Sequence, residues 1–490
     1  MTAAIQNGAA KLATFAHLID GRSVSARDGQ TIPVLAPSDG KVFAEIARGT
    51  AADVDAAVAA ARASFDGAWG RMEAAERGRL LARLAQAILD NAEDLAALES
   101  RDTGKPLRQG RADIAAAARY FEFYGGACDK IHGDTLPFLA GHLALTLREA
   151  HGVTGHVIPW NYPAQMTGRS AGGALAMGNA VVVKPAEDAC LTPLRIAALA
   201  LEVGFPPGAF NVVTGYGEEA GAALAAHPGI DFLSFTGSPE VGALVQKAAA
   251  DNHIAVTLEL GGKSPQLVFA DADLDAALPI LVNAIVQNGG QTCSAGSRVL
   301  VEQPVYDAVV EGLQERFAGL VAAPYDADGD LGALINARQR DRVAGFIARA
   351  REDGIPALAE GRIADNAPSG GFYVAPVLFG PVPQANRLAR DEVFGPVLSI
   401  LPFADEADAI SLANGTEYGL VAGIWTRDGA RQMRLARAVR AGQVFVNCYG
   451  AGGGIELPFG GFGKSGHGRE KGFEALYEFS APKTVVVKHG

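Results

Sequence analysis

Two residues of this chain have the type and the setting to do covalent chemistry. Cys293 lies in Asn288-Gly-Gly-Gln-Thr-Cys-Ser-Ala-Gly296, and Glu259 lies upstream in Thr257-Leu-Glu-Leu-Gly-Gly-Lys-Ser-Pro265. A cysteine in a glycine-rich loop has little packing to do, whereas a nucleophilic thiol must be reachable by substrate. Leu258, Leu260 and two glycines close off Glu259, and such apolar surroundings raise a carboxyl pKa toward neutrality and suit it to act as a general base. Thiol and base together point to covalent catalysis, with an acyl-enzyme that water later cleaves. The alternative for an isolated cysteine is a small buried hydrophobe.

The elements that must position these residues follow from the pattern around them. From Gly152 to Leu260, short apolar runs (153–158, 180–183, 210–214, 231–235) alternate with alanine-rich helical stretches. That alternation predicts a parallel sheet with ligands at its C-terminal strand ends. A second alternation begins after Gly262: a strand over 266–269, a helix from Leu274, a strand over 298–301 and a helix over 305–320. It predicts a second α/β domain, the one carrying Cys293. Upstream, 51–91 reads as helical, with Leu80, Leu81, Leu84 and Ile88 on one face, and 111–124 gives another helix. Residues 131–149 switch to strand character, with period-two alternation over 142–148. The tail Lys483-Thr-Val-Val-Val-Lys488 predicts a last strand, whose exposed edge would find cover on another subunit. Residues 364–371 read as a surface loop.

At 490 residues the chain exceeds one ordinary core, so two or three domains are expected. Its 49% hydrophobic and 20% charged residues describe a globular protein, and a net charge of −12 disfavours nucleic acid or an anionic membrane as partner. No apolar stretch reaches membrane-span length and no signal-type core stands at the N-terminus, so a cytoplasmic location is expected. The four cysteines are far apart and the nine histidines do not cluster, which predicts reduced thiols and no metal site.

Trp160-Asn-Tyr-Pro163, Val183-Lys-Pro-Ala-Glu187, Phe235-Thr-Gly-Ser238, Glu259-Leu-Gly-Gly262, Gln291-Thr-Cys293 and Glu392-Val-Phe-Gly-Pro396 occur in that order. Together they resemble the NAD(P)-dependent aldehyde dehydrogenase superfamily, of the hydrolytic type that does not acylate coenzyme A. The resemblance runs from about residue 17 to the C-terminus and includes Pro458-Phe-Gly-Gly-Phe-Gly-Lys-Ser-Gly-His-Gly-Arg-Glu470. It implies two Rossmann-like α/β domains plus a small β oligomerisation domain. Residues 1–127 with 151–261 would bind the dinucleotide, 262–470 would carry the catalysis, and 128–150 with 471–490 would be oligomerisation strands of a homodimer or homotetramer.

The resemblance also assigns roles. Cys293 attacks the aldehyde carbon, the Asn161 amide and the Cys293 backbone N–H receive the oxyanion, and Glu259 activates water to release the acid. Glu259 argues against a coenzyme A-acylating enzyme, whose members generally lack a glutamate at this position. Cofactor residues would be Ile158, Trp160, Lys184, Glu187, Gly217, Phe235, Gly237, Ser238, Leu260, Glu392 and Phe394. Of two glycine-bearing turns, Phe235-Thr-Gly-Ser-Pro-Glu-Val-Gly242 suits a pyrophosphate better than Thr214-Gly-Tyr-Gly-Glu-Glu-Ala-Gly221, because Pro239 can open a helix there. Glu187 favours NAD over NADP by repelling a 2′-phosphate.

Tyr162, Met166, Arg169 and Phe459 would line the substrate pocket. Arg169 matches the position where semialdehyde dehydrogenases hold the distal carboxylate of the substrate, but Gln287 stands where their second arginine should be. A polar or acidic aldehyde is one expectation, with a broad aliphatic or aromatic range as the other. Arg169 paired with a protein carboxylate is the alternative reading of that residue. The glycine-rich 449–454 stretch suggests a roomy pocket mouth. Glu470 matches a position that assists proton exit; its sequence surroundings suggest an exposed, ion-paired glutamate.

Overall fold

The protein is described from a computed structural model, which covers residues 12–450 and 454–490. The glycines at 452 and 453, part of the expected roomy mouth, lie outside the described residues.

The first sheet has eight strands, and its parallel centre is ordered Ala255–Glu259, Phe232–Thr236, Val153–Ile158, Ala180–Pro185, Phe210–Val212. Chain order reverses between Val153–Ile158 and Phe232–Thr236. In an open α/β sheet, the crevice beyond the strand ends at such a reversal is where a nucleotide binds. Trp160–Asn161 and Gly237–Ser238 follow these two strand ends. The helices around the sheet form for local reasons. In Ala74–Asp90 the expected face of Leu80, Leu81, Leu84 and Ile88 is buried. Ser238 caps Pro239–Ala250, its Oγ accepting from the Val241 N–H at 3.3 Å, and Pro239 opens the helix as expected.

The second sheet has seven strands, ordered Ala357–Glu360, Val377–Phe379, Val397–Phe403, Arg298–Glu302, Pro265–Val268, Val421–Trp425, Gln443–Val446. All neighbours are parallel except the first pair. The chain enters it directly from Glu259 through Gly262, so the end of one sheet and the start of the other flank the same space.

A third sheet joins Ser480–Lys488, His142–Ala150 and Thr135–Leu136, all antiparallel. The tail strand expected to find its cover on another subunit pairs instead within its own chain, along its full length from Ser480↔Ala150 to Lys488↔His142. The pairing satisfies one edge of the tail strand, while Leu143, Leu147, Val486 and Val487 on this sheet stay exposed. A fourth, three-stranded sheet (Ala13–Phe15, Lys41–Ala47, Thr31–Ala36) was not legible in the sequence pattern.

Candidate active site

Glycines set how the nucleophile loop meets its neighbours. A Cβ at Gly262 would lie 2.4 Å from the Cys293 carbonyl oxygen, and one at Gly290 would lie 2.2 Å from that of Gly395. The first contact draws the loop against the segment that follows Glu259. The second draws it against the loop carrying Glu392 and Phe394. Gly290, at φ +74°, also takes a backbone conformation that side-chain-bearing residues rarely adopt.

Hydrogen bonds then lock the loop to Asn161. Asn161 Nδ2 donates to the Gln291 carbonyl at 3.0 Å, and Asn288 Nδ2 donates to the Asn161 carbonyl at 2.8 Å. Tyr162 and Thr292 share a hydroxyl contact of 2.8 Å. Behind Asn161 lies a charge cluster that the sequence did not single out. Lys105 Nζ donates to the Asn161 carbonyl at 3.0 Å, to Asp113 at 2.5 Å and to Glu99 at 3.2 Å. It also stands 4.6 Å from the centre of the Tyr162 ring. All three charged residues are buried. A Thr-Gly-Lys-Pro turn with carboxylates six residues before and eight after the lysine was the available signal.

Two cavities meet at Cys293. The larger, of about 520 Å³, is lined by Trp160, Asn161, Gly237, Ser238, Glu259, Leu260, Glu392 and Phe394 among others. The smaller, of about 30 Å³, is walled by Tyr120, Tyr162, Met166, Arg169, Phe459 and Lys471 with Gln165, Gln287 and Thr292. The larger lies at the topological reversal of the first sheet, so it has the position and size of a nucleotide crevice.

The expected cofactor residues divide accordingly. Glu392 Oε1 accepts from the Gly262 N–H at 3.0 Å. The helix Ala337–Glu352 fixes its loop, Arg342 donating to the Glu392 carbonyl and Gln339 to the Phe394 carbonyl, each at 2.7 Å. Trp160 and Phe394 meet edge to face at 5.4 Å. Lys184 and Glu187 pair at 3.0 Å just past the neighbouring strand end. Ile158 ends its strand, whereas Phe235 is a core residue beneath Gly237. Gly217 starts a separate helical turn, Gly217–Gly221, which packs beside Lys184, a Cβ at Gly221 lying 3.7 Å from Lys184 Cδ; Glu219 of that turn pairs with Arg48.

The electrostatics follow from burial. Desolvation raises the Glu259 carboxyl well above the usual range, with Arg169 opposing it, and among the described residues neither Glu259 oxygen has a hydrogen-bond partner. Burial pushes the Cys293 thiol up to about 11 and Glu392 up to about 7.

Arg169 lines the small cavity with its charge met inside the protein. Its Nη2 lies 3.3 Å from Glu259 Oε2 and its Nε 2.5 Å from Glu470 Oε2, although neither contact is aligned as a hydrogen bond. Its charge is met by two protein carboxylates, because a buried guanidinium left to wait for a substrate anion would be costly. This geometry matches the alternative reading of Arg169, a guanidinium paired with protein carboxylates. Glu470 is corrected: it is fully buried rather than exposed, and Ser234 Oγ donates to it at 2.8 Å.

Fold and site together place a thiol in an α/β protein between a crevice at the sheet's reversal and a second, narrow cavity. The family model described as aldehyde dehydrogenase family matches residues 24–485. A curated relative, aldehyde dehydrogenase family 2 member B4 (mitochondrial) of Arabidopsis thaliana, is 42% identical over 473 residues, covering 96% of this chain and 87% of its own. A crystal structure from Burkholderia cenocepacia, described provisionally as an aldehyde dehydrogenase, is 66% identical with a TM-score of 0.96, covering 97% of this chain and 100% of its own. PnpE in complex with nicotinamide adenine dinucleotide is 42% identical with a TM-score of 0.94, covering 97% and 98%. The chain belongs to the aldehyde dehydrogenase family, and by class it is an NAD(P)-dependent oxidoreductase.

Proposed function

We propose that this protein oxidises an aldehyde to its carboxylic acid with NAD⁺, through a covalent intermediate on Cys293. The observation that carries the reading is the position of Cys293 on the wall shared by the two cavities. A carbonyl entering the narrow pocket meets the sulfur with the nucleotide crevice on its other side. At neutral pH a thiol pushed up to about 11 holds its proton, which passes to water in the crevice as sulfur attacks the carbonyl carbon. The oxyanion that forms is offered the Asn161 side-chain amide and the Cys293 N–H; losing one such donor typically costs about 100- to 1000-fold in rate. Bound in the crevice, the cofactor supplies the hydride acceptor. Ser238 and the helix N-terminus suit its pyrophosphate, Glu392 and Phe394 the nicotinamide end, and Lys184 with Glu187 the adenosine ribose. The Glu187 carboxylate favours NAD over NADP. Glu259 then takes a proton from water, which cleaves the thioester and releases the acid.

The substrate reading is an uncharged aldehyde of aromatic or slim aliphatic character. Aromatic and thioether side chains line the small pocket, and its two cations, Arg169 and Lys471, are balanced by Glu259 and Glu470 nearby. An added carboxylate would upset that balance. The assay is NADH formation from benzaldehyde, hexanal and succinate semialdehyde, with and without coenzyme A. Coenzyme A should not be needed, and succinate semialdehyde should have the lowest kcat/KM. Strict dependence on coenzyme A, or succinate semialdehyde ranking first, would refute the corresponding part. The third sheet, with its exposed Leu143, Leu147, Val486 and Val487, supports assembly into a homodimer or homotetramer.

A further inference from the structure

Arg169 projects from the helix Pro163–Ala176 with 3% of its surface exposed, and it stands between two buried carboxylates. One is Glu259, at 3.3 Å; the other is Glu470, at 2.5 Å. The guanidinium carbon also lies 4.4 Å from the centre of the Phe459 ring, which fixes its plane. Glu470 is anchored in turn. Its Oε1 accepts from Ser234 Oγ at 2.8 Å, Ser234 Oγ meets Ser170 Oγ at 3.0 Å, and Ser170 Oγ meets His156 Nδ1 at 2.7 Å. The chain ends in the sheet, where His156 Nε2 meets Thr154 Oγ1 at 2.7 Å. Every member is buried. A chain of this kind leaves Glu470, and the guanidinium resting on it, little freedom to swing toward a substrate.

We propose that Arg169 is a positioning residue for the general base: held by Glu470 and the Ser234–Ser170–His156 chain, it supplies the fixed counter-charge against which Glu259 ionises, instead of binding substrate. The proposal rests on the assignment of Glu259 as the base. A carboxyl buried without a hydrogen-bond partner tends to keep its proton, and a protonated base can accept none from water. A fixed cation beside it is the remedy. Burial is what raises Glu259, and Arg169 is the strongest group opposing that rise. Burial likewise raises Cys293, with Arg169 again the first opposing group.

The other charged neighbours are Glu470, which raises Glu259 further, and Arg469 and Lys471, which lower it. Glu392 raises Cys293 and Lys471 lowers it, while Tyr120 and Cys293 face Arg169 itself. Because Glu470 shares the guanidinium, the two partners of the cluster act on the base with opposite sign. Removing the cation should make Glu259 harder to ionise, and neutralising its competitor should make it easier. Loss of packing alone has no reason to produce opposite shifts.

The test is the pH profile of deacylation, followed with p-nitrophenyl acetate, which needs no cofactor, in the parent enzyme, Arg169→Met, Arg169→Lys and Glu470→Gln. Arg169→Met should move the acidic limb up by about one to three pH units, the range of a removed neighbouring charge. Arg169→Lys should restore most of that shift, and Glu470→Gln should move the limb down. NAD⁺ binding followed by fluorescence should stay at the parental value and so report an intact fold. Limbs that coincide with the parent, or that move the same way in Arg169→Met and Glu470→Gln, overturn the inference. If Arg169→Met does not fold, a Glu470→Gln limb that fails to fall overturns it alone. A Glu259→Gln enzyme that deacylates at the parental rate removes the base assignment itself, a failure distinct from the others.

Discussion

Replacing Lys105 with methionine removes one cation and strands two buried carboxylates. Burial pushes the lysine down, but Asp113 and Glu99 more than offset this and its pKa ends raised. At an effective dielectric of about 20, a unit charge pair near 3 Å is worth roughly 5 kcal/mol before desolvation is counted. Breaking such a buried pair from one side typically costs about 3–5 kcal/mol. Burial already raises Glu99 and Asp113 relative to the unfolded chain, with Lys105 opposing in both cases. Without Lys105 both should rise further, so the folded variant binds more protons than the unfolded one. That contribution is complete at low pH and is lost as pH rises through the folded values. The stability deficit against the parent should therefore be larger near about pH 8 than near about pH 5. The variant also frees one of the two hydrogen bonds to the Asn161 carbonyl, and a misplaced catalytic group can cost up to about 100-fold in kcat. Thermal unfolding at the two pH values, with kcat measured on the same samples, reads both effects. Parental melting at both pH values together with parental kcat would refute the reasoning.

Two further outcomes are expected. Glu392→Gln should slow the appearance of NADH in stopped flow far more than it lowers the melting temperature, and an unchanged rate would remove Glu392 from the nicotinamide end. Deleting residues 480–490 should lower both the assembled mass in light scattering and the melting temperature, because His142–Ala150 loses its full-length partner strand; unchanged values for both would exclude the third sheet as an interface.

Cys293 and Glu259 stand out in the sequence for the glycines and leucines around them and Asn161 through the family resemblance, and the structure brings all three to one cavity wall. The Arg169–Glu470 contact was not legible, since it joins the helix Pro163–Ala176 to a segment near the C-terminus, and no local pattern encodes a tertiary ion pair. For the same reason the sequence left Arg169 open between a substrate carboxylate and a protein one: the partner carboxylates are remote in sequence. Lys105 was hidden similarly, its function lying in the Asn161 carbonyl it supports. In the fold, the alternating sheets were readable from their apolar runs. The strand Thr31–Ala36 buries Ile32, Val34 and Ala36 in strict alternation, but Pro33 within the run argues against a strand. The tail strand was identifiable; its partner was not, because a strand edge carries no label for the chain it will join.

The central claim is that the acyl group passes through Cys293, and one measurement addresses it directly. Glu259→Gln enzyme is mixed with benzaldehyde and NAD⁺, quenched in acid, and examined by intact mass followed by peptide mapping. An added benzoyl mass is expected on the peptide containing Cys293, accumulating to about one per chain as hydrolysis is blocked. Benzoate released by an enzyme whose Cys293 peptide stays unmodified, or acylation confined to the exposed Cys448, would contradict it.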